Sequence, residues 1–325
     1  MKPVNEFTPP LLLRNHHVQS ILNSLRLRRP VVLQRARQML RRSSSHILDC
    51  GDGVRLQGYY SPRNSAEKDL CILIHGWEGS SESSYLLSAA GHLWKSGMDV
   101  FRLNMRDHGP THHLNEGLFH SCRIREVVGA VKHIEKLFPH RRLLLGGFSL
   151  GGNFALRVAL HAPGEGINLH HVMAVCPVLY PPHTMIALET GLQVYQLYFI
   201  KKWRNSLRRK YRLFPHLALL KRVPRFRSIG RMTDFFVRNF TEFPDLMTYL
   251  KGYSICDDAL AELAVPSTVI SSLDDPIIPS SDISRLAASR WLEIKTCARG
   301  GHCGFLMDYR LTSWVDGRIA DILEA

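Results

Sequence analysis

Several features that would fix a class at once are missing from this sequence. No run of about 18 uncharged apolar residues occurs, so none of its 325 residues is expected in a transmembrane helix. Met1-Lys2-Pro3-Val4-Asn5-Glu6 leads into no apolar h-region, and no secretory signal is expected. The seven cysteines (50, 71, 122, 176, 256, 297, 303) are scattered, odd in number and without C-x-x-C spacing. That excludes a disulfide scaffold and points to reduced thiols in the cytoplasm. No internal repeat and no long low-complexity segment is present. Acidic residues are scarce: 28 Asp and Glu stand against 42 Lys and Arg, a net charge of +14. The excess is local, with +8 in residues 1–45, +12 in residues 201–238, and −6 over the remainder. Such basic stretches suit an anionic membrane, a nucleic acid or an acidic partner, or they are simply solvated faces.

What is there is a globular chain. At 45% apolar content it can fill a real core, and its length suits one large α/β domain with an insertion. Residues 1–45 interleave the apolar positions 18, 21, 22, 25 and 27 with arginines, a basic amphipathic helical lead-in that ends in a serine loop at 43–45. Residues 46–49 and 54–60 alternate like antiparallel strands about the turn 50–53, and 61–67 is polar loop. The continuous apolar run at 70–74 suits a buried parallel strand, and 100–105, 143–148, 171–176 and 267–273 read as further strands, with 291–295 as the last. Helical patterns at 84–95, 124–137 and 153–160 separate several of them, and 314–323 closes the chain. This alternation predicts a doubly wound, mostly parallel sheet. It breaks at 180–260, an aromatic, basic, helix-like stretch expected as a cap. The predicted organisation is therefore a lead-in at 1–45, an α/β core of 46–179 and 261–325, and a helical cap insertion at 180–260.

The chemistry centres on Gly147-Phe148-Ser149-Leu150-Gly151. A G-x-S-x-G turn between a strand and a helix is a nucleophile elbow: the serine is forced into a strained turn, and the flanking glycines leave room for it. The helix N-terminus beneath Ser149 offers N–H groups to a developing oxyanion. A serine hydroxyl needs a base, usually a histidine oriented by a carboxylate, and in this fold the order is Ser, Asp or Glu, His. Asp274-Asp275 ends the 267–273 strand, and His302 follows the last strand in a glycine-rich loop. Asp275, opening Asp-Pro-Ile-Ile-Pro, is the expected acid and Asp274 a stabiliser of the turn. The oxyanion donors are expected to be the backbone N–H groups of Leu150 and of Trp77, after the 70–74 strand.

Four stretches together carry a family resemblance: the Phe-Thr-Pro-Pro and Asn-His-His-Val-Gln lead-in, His-Gly-Trp-Glu-Gly-Ser-Ser with Tyr85, the Gly-Phe-Ser-Leu-Gly-Gly-Asn elbow, and Asp-Asp-Pro with Gly-Gly-His-Cys-Gly-Phe. From about residue 7 to 310 the chain resembles the YheT-like branch of the α/β-hydrolase fold superfamily, related to abhydrolase-domain lipases and esterases. The resemblance implies an α/β-hydrolase fold and a serine hydrolase acting on carboxylic esters, including lipid-like ones. Carried over by motif, the catalytic residues are Ser149, Asp275 and His302. The chain departs from the pattern at Asp107-His108-Gly109, where relatives often have a glycine-rich turn, and in 180–260.

No cofactor and no metal is expected. His108, His112, His113 and His120 fit no compact ligand set, Cys303 sits in no elbow, and the glycines near Ser149 lack dinucleotide-loop spacing. The expected partner is a small-molecule or lipid-like acyl ester, with peripheral contact to an anionic membrane open and nucleic acid disfavoured. The rival is a non-catalytic binding protein on the same fold, using its basic faces.

Overall fold

A computed structural model describes residues 7–24, 27–63 and 68–324, the side chains of Pro224 and Arg225 excepted. The expectations about a leader in residues 1–6, the apolar position Leu25 and most of the loop 61–67 lie outside the described residues. Among the described residues, eight strands form one sheet in the order β1-β2-β4-β3-β5-β6-β7-β8. They are β1 (Ser44–Asp49), β2 (Arg55–Ser61), β3 (Leu70–Ile74), β4 (Asp99–Asn104), β5 (Leu143–Phe148), β6 (Leu169–Val175), β7 (Ser267–Ser272) and β8 (Leu292–Cys297). β1 and β2 pair antiparallel, as does β2 with β4, and every later pairing is parallel. The serine run expected as a loop instead enters the sheet, with Ser44 opposite Tyr60 and Ser45 opposite Tyr59.

Both faces of the sheet are covered, which is why β3 reads as an unbroken apolar run. Side chains along β3 alternate: Leu70, Ile72 and Ile74 enter one core, Cys71 and Leu73 the other. The first core packs under α4 (Ile124–Leu137) and α5 (Leu150–Glu165), the second under α2 (Arg29–Arg41), α3 (Ser84–Lys95) and α10 (Trp314–Glu324). Between β6 and β7 the chain runs through α6 (Pro181–Thr190), α7 (Gln193–Leu213), α8 (Ile229–Phe240) and α9 (Leu246–Lys251), and among the described residues this stretch adds no strand to the sheet.

The lead-in is less of a basic surface than its composition suggests. In α1 (His16–Ser24) the buried side chains are polar, Gln19, Ser20 and Asn23, while Val18, Ile21 and Leu22 are only partly covered. Arg28 is fully buried: its Nε donates to Leu311 O at 3.0 Å and Nη2 to Ser88 Oγ at 2.9 Å, with Asp316 at 4.0 Å. Part of the positive charge is therefore internal wiring.

Candidate active site

The elbow follows from steric exclusion at two glycines. A Cβ on Gly147 would lie 2.1 Å from Gly151 O, and one on Gly151 would lie 2.3 Å from Ile74 O. No side chain fits at either place. Ser149 adopts φ +54° and ψ −120°, a conformation costing about 1–3 kcal/mol for a residue with a Cβ. Its N–H donates to Val175 O at 2.8 Å and its carbonyl accepts from Asn153 N at 3.1 Å, so β6 and the first turn of α5 hold the strained geometry.

Three expected site residues, distant in the chain, come together above it. His302 Nε2 lies 2.9 Å from Ser149 Oγ, and His302 Nδ1 lies 2.8 Å from Asp275 Oδ2. The other carboxylate oxygen, Asp275 Oδ1, accepts from Ile277 N at 2.8 Å and Ile278 N at 3.0 Å. Asp275 is thereby oriented before it meets the imidazole, and its side chain is 2% exposed against 12% for His302. Asp274 reaches further than its own turn: Oδ1 accepts from Gly301 N at 2.8 Å, in the loop that carries His302, and from Ser272 Oγ.

Burial disfavours an imidazolium at His302, but the Asp275 carboxylate and the Cys303 sulfur outweigh it and push its pKa up to about 9. The opposite holds in the loop after β3. Burial, then His108, holds His75 well below its ordinary value. Neutral His75 donates from Nδ1 to Gly76 O at 2.7 Å and accepts at Nε2 from Met105 N at 3.2 Å. His108, pushed by burial down to about 4, accepts at Nε2 from Glu78 N at 3.1 Å. Two neutral histidines thus brace residues 75–78 from beneath. Burial raises the neighbouring Glu78 to about 8, against the pull of Lys202.

The two expected oxyanion donors flank Ser149. Leu150 opens α5 directly after it. Trp77 follows Gly76, where an added Cβ would sit 3.2 Å from Ser149 Cβ. Trp77 is roofed by the insertion: its ring stacks on Phe199 at 5.2 Å and meets Trp203 edge-on at 5.4 Å, both from α7. Lys202 Nζ donates to Glu78 O at 2.8 Å.

Several side chains that hold the site were given no role by the sequence, although Tyr85 and Gln19 stand in the motifs that carry the resemblance. Tyr85 OH accepts from Gly76 N at 2.9 Å. Ser20 Oγ accepts from His302 N at 2.7 Å, Gln19 Oε1 accepts from Leu306 N at 2.7 Å, and Asn23 Nδ2 donates to Cys303 O at 2.5 Å. The lead-in helix is a bracket on the histidine loop. Gln19 and Asn23 are four apart and share one helical face, but with Asn15, Ser20 and Ser24 also polar the spacing singles out neither. The histidines 108, 112, 113 and 120 do not gather; His112 Nε2, for one, pairs with Ser206 Oγ at 2.8 Å. A groove of 600 Å³ lined by Asp49, Gly129, Lys132 and His161 lies toward the far end of α5 from Ser149, about 18 Å along the helix axis at His161, and shares no residue with this site.

An elbow serine at the carboxyl ends of parallel strands, with an acid after β7 and a histidine after β8, defines the α/β-hydrolase class of architecture. The chain belongs to the alpha/beta hydrolase family, whose model matches residues 71–312. It is similar to "Putative esterase YheT" of Escherichia coli K12, 26% identical over 98% of this chain and 93% of that one, which bears out the YheT-like resemblance. It is likewise similar to "Monoacylglycerol lipase ABHD2" of Danio rerio, 26% identical over 98% of this chain and 80% of that one. In fold it matches the Pyrococcus furiosus esterase Pf2001, with a TM-score of 0.57 and 15% identity over 87% of this chain and 92% of that one.

Proposed function

We propose that the protein is a serine hydrolase of carboxylic esters working through an acyl-enzyme. The observation that carries the reading is the continuous hydrogen-bond chain from Asp275 through His302 to Ser149. Ser149 Oγ attacks the ester carbonyl while His302 Nε2 takes its proton. The carbonyl oxygen, now negative, lies against the N–H groups of Leu150 and Trp77. His302 passes the proton to the leaving alcohol. Water then attacks the acyl carbon, gives its proton to the same nitrogen, and Ser149 is restored. Asp275 fixes the tautomer and stabilises the imidazolium. No step calls for a cofactor. The names of the relatives, an esterase and a monoacylglycerol lipase, support an ester substrate.

The test is labelling by a fluorophosphonate probe together with turnover of a short-chain aryl ester. Wild-type protein should label and turn over, and Ser149→Ala should do neither while keeping its circular dichroism. Turnover by that variant would refute the assignment. Salt-sensitive nucleic-acid binding without labelling would favour the binding-protein alternative.

A lipid-like substrate presented at an anionic membrane is favoured by one further observation. Leu197 is 61% exposed beside exposed Leu192, Val194 and Tyr198 on the first turns of α7, where Lys201 is also exposed. Apolar side chains bordered by basic ones suit a peripheral contact of a cytoplasmic enzyme. Among the described residues no helix is long and apolar enough to cross a membrane. Liposome flotation checks this: binding that needs anionic lipid is expected, and equal, negligible binding with and without it would end the membrane reading.

A further inference from the structure

Within 4.8 Å of a ring nitrogen of His302 lie two sulfurs that the hydrolytic steps do not use. Cys176 follows β6 and Cys303 follows His302, and both are buried, at 1% and 6% exposure. Both also hold positive φ, +43° and +57°. That is an uncommon conformation for a residue with a side chain, and it turns the two thiols toward each other across the strand ends. Cys303 N donates to Cys176 Sγ at 3.4 Å, and Cys303 Sγ donates to Val175 O at 3.7 Å. A ligand atom from each of Cys176, His302 and Cys303 lies within 4.8 Å of the other two. In a tetrahedral zinc site the corresponding sulfur–sulfur and sulfur–nitrogen edges are about 3.5–3.8 Å, so side-chain shifts of about 1 Å close the set.

We propose that Cys176, Cys303 and His302 form a site for one thiophilic divalent cation, zinc above all, whose occupation reversibly switches the hydrolase off. Two thiols and an imidazole match the ligand preference of borderline-soft d¹⁰ ions and repel magnesium or calcium. A water on the substrate side completes four-coordination. Binding releases the two thiol protons to solvent, and the ion stays divalent throughout.

The switch follows from the electron count of imidazole. A neutral ring has one nitrogen lone pair and one N–H. Nδ1 faces Asp275 and Nε2 faces Ser149. Whichever nitrogen binds the metal gives up the lone pair, and none is left to accept the serine proton. Metal capture and general-base catalysis are therefore mutually exclusive at His302. This consequence rests on the serine-hydrolase reading, whereas cation binding does not.

The test begins with cobalt(II) titration of the wild-type chain and of Ser149→Ala. Both should take one equivalent, develop thiolate-to-cobalt charge-transfer absorption, and lose it when zinc is added. Ester hydrolysis by the wild type should fall at least about 10-fold at one equivalent of bound zinc and return on chelation. In Cys176→Ser and Cys303→Ser, each referred to its own metal-free rate, half-inhibition should need about 10-fold more zinc or above, because a ligand is lost. Absence of the charge-transfer band at saturating cobalt overturns the site, and this readout on the wild type requires no variant to fold. Equal zinc inhibition of wild type and both variants also overturns it. Hydrolysis without the band sinks the cation site alone. The band in a metal-free-inactive, probe-silent protein leaves the cation site standing and sinks the hydrolase reading with its switch.

Discussion

At the elbow, backbone meets backbone so closely that two glycines are compulsory, and the interior around them is apolar on both sides of β5. Where α7 crosses the same rim, the holding groups are charged. Lys210, 0% exposed, donates from Nζ to Asp107 Oδ1 at 2.8 Å and to the carbonyls of His112 at 3.3 Å, Gly117 at 3.4 Å and Asn115. Asn153 of α5 also reaches toward the insertion, donating to Val178 O at 2.9 Å and Tyr253 O at 2.8 Å. The sheet is stabilised without direction, by area removed from water. The insertion shares in that burial, since Ile200, Trp203 and Leu207 join the same core, and is fastened in addition at points, by groups costly to leave unpaired. Damage should therefore separate: changes at the rim should remove chemistry and spare stability, and changes at the fastenings should do the reverse.

Asp275→Asn is the sharpest test of the first half. Asparagine keeps an oxygen for Ile277 N and Ile278 N, but turns an NH₂ toward His302 Nδ1 and forces the wrong tautomer. We expect kcat to fall about 10⁴-fold, the order seen for such an exchange in other serine hydrolases, with the urea midpoint unchanged. A stability loss comparable to the kinetic one would break the comparison.

Lys210→Met tests the second half. Asp107 would remain buried, still accepting from Phe119 N at 2.9 Å but without its cation. Breaking a buried pair from one side costs about 3–5 kcal/mol. Urea denaturation should show that loss, and limited proteolysis should cut first within residues 181–251. A loss under about 1 kcal/mol would mean that the aromatic roof over Trp77, rather than the ion pair, holds α7.

These two regions also differ in how far they could be read in advance. The strand runs, the elbow, Asp275 and His302 were legible because chain order and strand ends dictate them, and because apolar runs and tight glycine turns are local signals. The insertion was legible only as helical. Lys210 lay inside a run of arginines and lysines that composition alone treats as a solvated face, and nothing near it in sequence names Asp107 as its partner. The lead-in failed similarly: an amphipathic pattern says which face is apolar, and in α1 the inward face is polar because it serves the backbone of the histidine loop. Side chains that satisfy distant N–H and C=O groups leave no periodic trace.

The pH profile is a subtler measure of the rim. General-base action needs neutral His302, and Asp275 and Cys303 raise its pKa to about 9. Ester kcat/KM should therefore climb with pH to an inflection above the ordinary histidine value of about 6.5. Cys303→Ser removes one of the two raising partners and should move the inflection down while leaving the plateau. An inflection at or below the ordinary value in the wild type would show that burial wins over both partners.

The smallest expected effect lies at the opposite end of the strands, and it asks whether charge fastening weakens where water reaches it. Asp69, just before β3, accepts from Arg141 Nη2 at 3.0 Å and Arg142 Nη2 at 2.8 Å. Burial of this carboxyl works against its charge, yet the two guanidinium groups hold its pKa down to about 2. A folded pKa below the unfolded one stabilises the fold above the unfolded value, and the gain is lost as pH falls from about 4 to about 2. At neutral pH this amounts to at most about 2.5 kcal/mol, and less after screening, because Arg141 is 56% exposed. Asp69→Asn should lower Tm by a few degrees at pH 7, with the gap to wild type closing by pH 2 and narrowing in high salt. Lys210→Met, whose partners are dry, should show no such salt dependence. If salt closes both gaps equally, the distinction between buried and half-wet fastening fails.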